Sequence, residues 1–401
     1  MQQNKQEITF LFSDENRMKN VRELNPYELL SDSAIDFLSE VSKEITKSDK
    51  FRTYPDVATF AFFCRRSNLM VYKKKHDPAI FRLGRGVVFH VAPSNVPVNF
   101  AYSMVAGILS GNINIVRVPS KQFEQIEVIC KAINKVAEDP KFSVYLDRLF
   151  IVRYDKDSAK TDEFSRICDV RVIWGGDETI AQIRKSVLSA RAFDVTFADR
   201  YSFAIINADE YVKESLIDKV AEAFYNDTYL FDQNACSAPH LVVWTGNAEN
   251  IQEAKTMFWD AIQRKIEDYS ISPILSVDKL STLYLHSIES TTIKRVEPIN
   301  NKLWRVQLSV LTPGVENFRC AGGYFLEYDA VSFNDICKIV NRKYQTLAYY
   351  GYTKEKLSQL MKDASFNGID RVVPIGKTTE FDFVWDGYNL LSTLTRVCFI
   401  G

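Results

Sequence analysis

The stretch from Gly86 to Val118 admits few folds. Val87-Val88-Phe89-His90-Val91-Ala92 is a compact β-prone run. It breaks at Pro93-Ser94-Asn95-Val96-Pro97, where two prolines forbid a regular ladder. Phe100 to Leu109 reads as a buried helix that Gly111-Asn112 stops, and Ile113 to Val118 reads as a second strand. Strand, helix and strand within about 30 residues make a βαβ unit, so the two strands are expected to be parallel neighbours.

The alternation continues. Ile126, Ile129, Cys130, Ile133 and Val136 lie at helical spacing. Leu149 to Val152, Val170 to Trp174 and Phe203 to Ile206 read as strands, with a helix near Glu178 to Leu188. This rhythm predicts a doubly wound α/β domain over roughly 50–205. A second rhythm follows: helix Tyr211 to Phe224, strand Leu241 to Trp244, helix Ile251 to Ile266, strands Leu303 to Leu311 and Tyr324 to Tyr328, helix Phe333 to Leu347. In the first 50 residues, Ile35, Leu38 and Val41 carry helical spacing.

Composition removes several classes of function. Over 401 residues, 46% are hydrophobic and 25% charged, which excludes disorder over most of the length. Lys plus Arg is 50 against 51 for Asp plus Glu, so the basic excess of a phosphate-neutralising protein is missing and no nucleic-acid partner is expected. No apolar run reaches the roughly 18 to 20 residues that span a bilayer. Met1 to Glu7 is polar and lacks a signal core, so a cytoplasmic location is expected. Seven scattered cysteines without a Cys-x-x-Cys pair suggest neither disulfides nor zinc, and no two histidines have metal-ligand spacing.

Three loops could carry chemistry. Cys236 lies between Asn234 and Ser237 in a polar loop ahead of a strand, where free backbone N–H groups can serve a nucleophilic thiol. The competing reading is a small core residue. Asn95, between two prolines after a strand, is pre-organised to donate its amide to an oxyanion, or is simply a turn residue. Gly175-Gly176 lets a phosphate approach the next helix, or ends a strand for steric reasons. No full G-x-G-x-x-G or Walker A pattern occurs. His90 and His240 could tune the thiol or donate a proton, though hydrogen-bonded core histidines carry more weight.

Together these loops resemble the aldehyde dehydrogenase superfamily, and more narrowly the LuxC-type acyl-CoA reductases, the fatty acid reductases of bacterial bioluminescence. Gly86 to Pro97, then Gly111-Asn112 and Arg117-Val118-Pro119-Ser120, is similar to that family's first block. Trp174-Gly175-Gly176-Asp177 is similar to its cofactor-phosphate turn. Asp232 to Pro239 is similar to the block around its nucleophile. Asp370 to Gly376 and Trp385-Asp386-Gly387-Tyr388 resemble its C-terminal block.

The resemblance implies an aldehyde dehydrogenase-like α/β fold. Residues 1–205 would be an N-terminal segment with a Rossmann-like NADP-binding domain, and 206–375 a catalytic domain bearing the thiol. Residues 376–401 would pack on the cofactor domain or on a partner subunit. Cys236 would attack an acyl thioester, Asn95 would stabilise the oxyanion, and a nicotinamide would deliver hydride to give the aldehyde. Pro93, Arg117, Ser120, Lys121, Trp174, Gly175 and Gly176 would hold the cofactor.

Two departures sharpen this. The water-activating glutamate of ordinary aldehyde dehydrogenases is missing from Phe197-Ala198-Asp199-Arg200, which favours reduction over hydrolysis. Ser120 stands where NAD-preferring relatives carry an acid, with Arg117 and Lys121 nearby, which favours NADPH. The expected substrate is a fatty acyl-CoA or an acyl group handed over by a synthetase or acyltransferase partner, and the superfamily implies a homo-oligomer. The alternatives are an acyltransferase using the Cys236 thioester without redox chemistry, and a non-catalytic scaffold.

Overall fold

Two runs of parallel strands, each hydrophobic on both faces, organise the chain. The computed structural model describes residues 8–400 apart from 78, 94, 95 and 157. It divides into two units: Met1–Ala198 with Tyr388–Gly401, and Asp199–Gly387.

Unit 1 holds β1 (Thr9–Phe12), β2 (Arg82–Gly84), β3 (Val87–Val91), β4 (Ile113–Val118), β5 (Leu149–Arg153), β6 (Val170–Trp174) and β7 (Phe193–Phe197). The main sheet has the order β1-β5-β4-β3-β6-β7. All pairs are parallel except β1 against β5. The chain leaves β3 towards β4 and β5, then returns to the other side for β6. That reversal is a topological switch point.

Alternation along β3 and β4 builds this unit. Phe89 and Ile115 join the core on one face. His90 and Asn114 point to the other, under the buried helix Asn99–Leu109. A Cβ on Gly107 would lie 1.8 Å from Asn114 Oδ1, so only glycine lets the helix come this close. The polar groups beneath form a closed chain. Trp174 Nε1 donates to Ser103 Oγ at 3.0 Å, Ser103 Oγ meets His90 Nδ1 at 2.7 Å, and His90 Nε2 meets Asn114 Oδ1 at 3.0 Å. Since Asn114 Oδ1 only accepts, the ring carries its proton on Nε2. Burial drives the His90 pKa down to about 4, so it is a neutral core histidine.

Unit 2 holds β8 (Tyr201–Asn207), β9 (Pro239–Thr245), β10 (Ile293–Asn300), β11 (Leu303–Leu308), β12 (Tyr324–Asp329), β13 (Tyr344–Tyr350) and β14 (Arg371–Pro374). Its sheet runs β10-β11-β12-β9-β8-β13-β14, antiparallel only at β10 against β11. Ala204, Ile206, Val242 and Trp244 face the helices Ile217–Thr228 and Ala248–Lys265, while Phe203, Ile205, Leu241 and Val243 face the opposite side.

Three sequence expectations need correction. The strand over Phe203 to Ile206, read with the first alternation, pairs within the second sheet as β8. The helix expected over Tyr211 to Phe224 is two pieces, Ala208–Tyr211 and Ile217–Thr228, because Glu214 accepts from the Leu216 N–H and turns the chain between them. The helix expected over Phe333 to Leu347 is a short turn, Asn334–Cys337, followed by β13. Among the described residues no helix is long and apolar enough to cross a membrane.

Candidate active site

The loop that carries Cys236 is forced into an uncommon shape and then held there. Asp232 and Gln233 both have left-handed backbones, with φ of 51° and 61°. For side chains other than glycine each costs about 1 to 3 kcal/mol. Hydrogen bonds offset that cost. The Asp232 carbonyl accepts from the Gly322 N–H at 3.0 Å, and its carboxylate from the Tyr269 hydroxyl at 2.6 Å. The buried Gln233 side chain donates to the Pro239 and Tyr324 carbonyls at 2.9 and 3.2 Å. Its oxygen accepts the Gly323 and Tyr324 N–H groups at 3.0 and 3.2 Å.

Cys236 follows, half-buried, ahead of β9. Two irregularities in the sheet bring other strands to it. The register slips between Ser202 and Phe203 of β8, and between Tyr344 and Leu347 of β13. Such bulges re-aim side chains. Ser202 Oγ donates to the Cys236 carbonyl at 2.7 Å and accepts the Thr346 N–H at 3.1 Å. Gln345 Nε2 donates to Cys236 Sγ at 3.3 Å and also to Asp386 Oδ1. The nucleophile candidate thus sits at the amino ends of β8, β9 and β13.

Charges complete the setting. Arg200 pairs with Asp370 and donates to the Tyr344 carbonyl at 2.8 Å. Arg371 lies over the Trp385 ring at 4.5 Å and donates to the carbonyls of Lys377, Thr378 and Glu380. Asp386 follows Trp385 in a left-handed turn with Gly387, at φ of 49° and 75°. Burial pushes the Cys236 thiol up to about 11, and the Asp386 charge adds to this; Gln345 and Arg200 pull it down. Burial likewise raises Asp386 to about 6, against the pull of Arg200. At neutral pH the resting sulfur therefore carries its proton. Among the described residues no backbone carbonyl accepts the Cys236 or Ser237 N–H, so both are candidate oxyanion donors, with the Cys236 N–H also directed at its own sulfur.

Other candidates are engaged elsewhere. His240 is buried, its Nδ1 is 3.1 Å from the Cys320 carbonyl, and its ring lies against Tyr201. Burial, then Arg319, lowers its pKa to about 3, so it is neutral. Both Asp199 oxygens accept from Arg319, 2.6 Å to Oδ2. Cys64, Cys130 and Cys168 are buried, and burial raises each thiol. Asn95 lies outside the described residues. Among the described residues no group of three His, Cys, Asp or Glu side chains is placed to hold a metal ion.

The expected cofactor residues lie in unit 1. Arg117 and Ile173 both pair with Val91, so the Pro93 loop, the Arg117 loop and Trp174-Gly175-Gly176 leave one edge of neighbouring strands β4, β3 and β6. This is the carboxyl edge at the switch point, where α/β sheets bind ligands. Arg117 Nη2 and Ser120 Oγ both donate to the Tyr154 carbonyl at 3.3 Å. Lys121 is exposed, with its ammonium 5.0 Å from the Phe123 ring centre. Trp174 stacks on Phe197 at 3.6 Å. Two observations fit a nucleotide here. Arg117 Nε is buried and has no hydrogen-bond partner among the described residues. A Cβ on Gly176 would meet nothing within 4 Å, so a ligand can reach that backbone.

Gln345 and Asp386 were not singled out by sequence reasoning for any role at the thiol. Asp386 stood within a motif, but Gln345 carried no signal: its contact with Cys236 spans 109 residues of chain.

Known proteins bear on this arrangement. The chain is similar to the lactaldehyde dehydrogenase of Escherichia coli, with a TM-score of 0.65 at 10% identity over 96% of this chain and 88% of that one. It is also similar to the glyceraldehyde-3-phosphate dehydrogenase GapN of Methanocaldococcus jannaschii, solved with NADP, with a TM-score of 0.63 at 13% identity over 91% and 88%. The fold is that of the aldehyde dehydrogenases. In sequence it is 22% identical over 309 residues to the long-chain acyl-protein thioester reductase of Vibrio harveyi, covering 74% of this chain and 60% of that protein. It is 25% identical over 191 residues to the enzyme of the same name from Aliivibrio fischeri, covering 46% and 36%. The matched stretches thus span less than two thirds of those relatives. The family model for acyl-CoA reductase (LuxC) matches residues 12–397. On that match the chain belongs to the LuxC family of acyl-CoA reductases.

Proposed function

We propose that this protein reduces a long-chain acyl thioester, presented on CoA or on a partner protein, to the aldehyde with NADPH. The observation that carries the reading is the setting of Cys236: a half-buried thiol in a pinned loop, with the Gln345 amide donating to its sulfur and no backbone carbonyl among the described residues taking the Cys236 or Ser237 N–H. Cys236 Sγ attacks the thioester carbonyl. The carbonyl oxygen gathers negative charge, and the Cys236 and Ser237 N–H groups donate to it, with Asn95 as a further donor on the family pattern. The thioester C–S bond breaks, and the thiol proton leaves with the departing sulfur. Cys236 then holds the acyl group as a thioester.

A bound nicotinamide supplies the hydride for reduction of that acyl group. Arg117, Ser120, Lys121, Trp174, Gly175 and Gly176 would hold the nucleotide, with Pro93 in the adjoining loop. Arg117 and Lys121 favour a 2′-phosphate because no carboxylate stands at Ser120. The pairing of Asp199 with Arg319 leaves that carboxylate unsuited to activating water, which fits an acyl-enzyme spared from hydrolysis. When the aldehyde leaves, the bond between its carbon and Cys236 Sγ breaks, and the sulfur takes a proton from solvent to restore the thiol.

The test is NADPH and NADH consumption with acyl-CoAs of increasing chain length, beside Cys236→Ala. Aldehyde formation that prefers NADPH and vanishes in the variant is the expected result, a loss of about 10³-fold or more. Acylation of Cys236 with both nucleotides untouched would overturn the reductase reading in favour of acyl transfer.

A further inference from the structure

The Gln345 side chain is fully buried and its amide is fixed from both ends. Its oxygen accepts the Thr346 hydroxyl at 3.2 Å. Its nitrogen donates both to the Asp386 carboxylate and to Cys236 Sγ, at 3.3 Å from the sulfur. Turning the amide over would set its oxygen against a carboxylate, so the donating orientation is the stable one. Asp386 is in turn fixed by its left-handed turn beside Trp385, the ring on which Arg371 lies.

We propose that Gln345 is the hydrogen-bond donor that steadies the Cys236 sulfur as it becomes negative, and that Asp386 is a positioning residue that locks the Gln345 amide towards it. The inference rests on Cys236 as nucleophile, and on neither the acyl group nor the nucleotide. The division of labour has two signs. Gln345 favours the thiolate by donation, while the Asp386 charge opposes it. The other charged groups that face the pair are Arg200, which favours both anions, Arg371, and Asp370, which opposes ionisation of Asp386.

The experiment is the pH dependence of iodoacetamide alkylation at Cys236, followed by peptide mass spectrometry in the intact protein. Peptide resolution matters because Cys337 is exposed and Cys320 and Cys398 are half-buried. Gln345→Leu is expected to move the midpoint to higher pH. Asp386→Asn is expected to move it to lower pH, because the Asn oxygen still accepts from Gln345 while the charge is gone. Well below both midpoints, moving the midpoint by one pH unit changes the thiolate fraction, and with it the alkylation rate, about tenfold. Midpoints unchanged in both variants, or moved in the same direction, would overturn the proposal. Labelling of the buried Cys64 and Cys130 reports unfolding. If Gln345→Leu unfolds, Gln345→Met, which keeps the length of the side chain without its donor, takes its place: a higher midpoint supports the proposal, and an unchanged or lower one overturns it. Alkylation needs no substrate, so opposite shifts without aldehyde production would sink the reductase reading and leave this one standing.

Discussion

Gln233 shows how one side chain can decide where a neighbour three residues on will stand. Its amide satisfies two carbonyls and two N–H groups, so the loop before Cys236 has one position. Gln233→Ala removes four buried hydrogen bonds to backbone groups. At about 1 kcal/mol or more each, the loss should reach about 4 kcal/mol, read as a lower urea midpoint with reduced Cys236 acylation. Gln233→Glu should be worse at neutral pH, since one carboxylate oxygen would face the Pro239 and Tyr324 carbonyls. At this scale the sequence disclosed Cys236 through its polar neighbours Asn234 and Ser237. Gln345 stayed hidden because a glutamine between Tyr344 and Thr346 looks like any strand residue until the fold closes.

Among the elements, β8 and β13 matter for their faults as much as for their pairing. Both lose register beside Cys236, and Ser202 bridges the gap. Ser202→Ala should strand the Thr346 N–H and free the Cys236 carbonyl. The expected cost is about 2 kcal/mol in denaturant unfolding, with slower acylation of Cys236. The same elements explain one misreading. Apolar residues from Phe333 to Leu347 fit a helical stripe, yet Asn341-Arg342-Lys343 is a polar break and Tyr344 to Tyr350 is β-prone. Pairing with β8 and β14 settles the matter by tertiary contact, which no local pattern contains. The βαβ unit from Val87 to Val118 was legible because its strands are buried on both faces and its helix is short and apolar.

For the molecule as a whole, the route of the chain is the informative feature. After Gly387 it returns to unit 1, where the strand Thr395–Val397 pairs with β2. Asn112 Nδ2 donates to the Leu394 carbonyl at 2.9 Å, and Arg85 Nε to the Thr393 carbonyl at 2.7 Å. Leu390, Leu391 and Leu394 are buried there. Each contributes about 2 kcal/mol. Removing residues from Tyr388 onward should therefore raise hydrogen exchange at Arg82–Gly86 and Asn112 while leaving β9 and β12 protected. Over 376–401 aromatic and charged residues mix without a clear period, so the destination of this segment was open in the sequence.

Trp174 has a consequence of a different kind. The other four indoles, at 244, 259, 304 and 385, all belong to unit 2, so unit 1 carries a single tryptophan. That fluorophore ends β6, stacked on Phe197 beside the Gly175-Gly176 backbone. Subtracting the emission of a Trp174→Phe protein from that of the parent isolates the spectrum of this one place. The chain thus comes with its own optical label at the nucleotide site proposed above, and needs no dye to watch it.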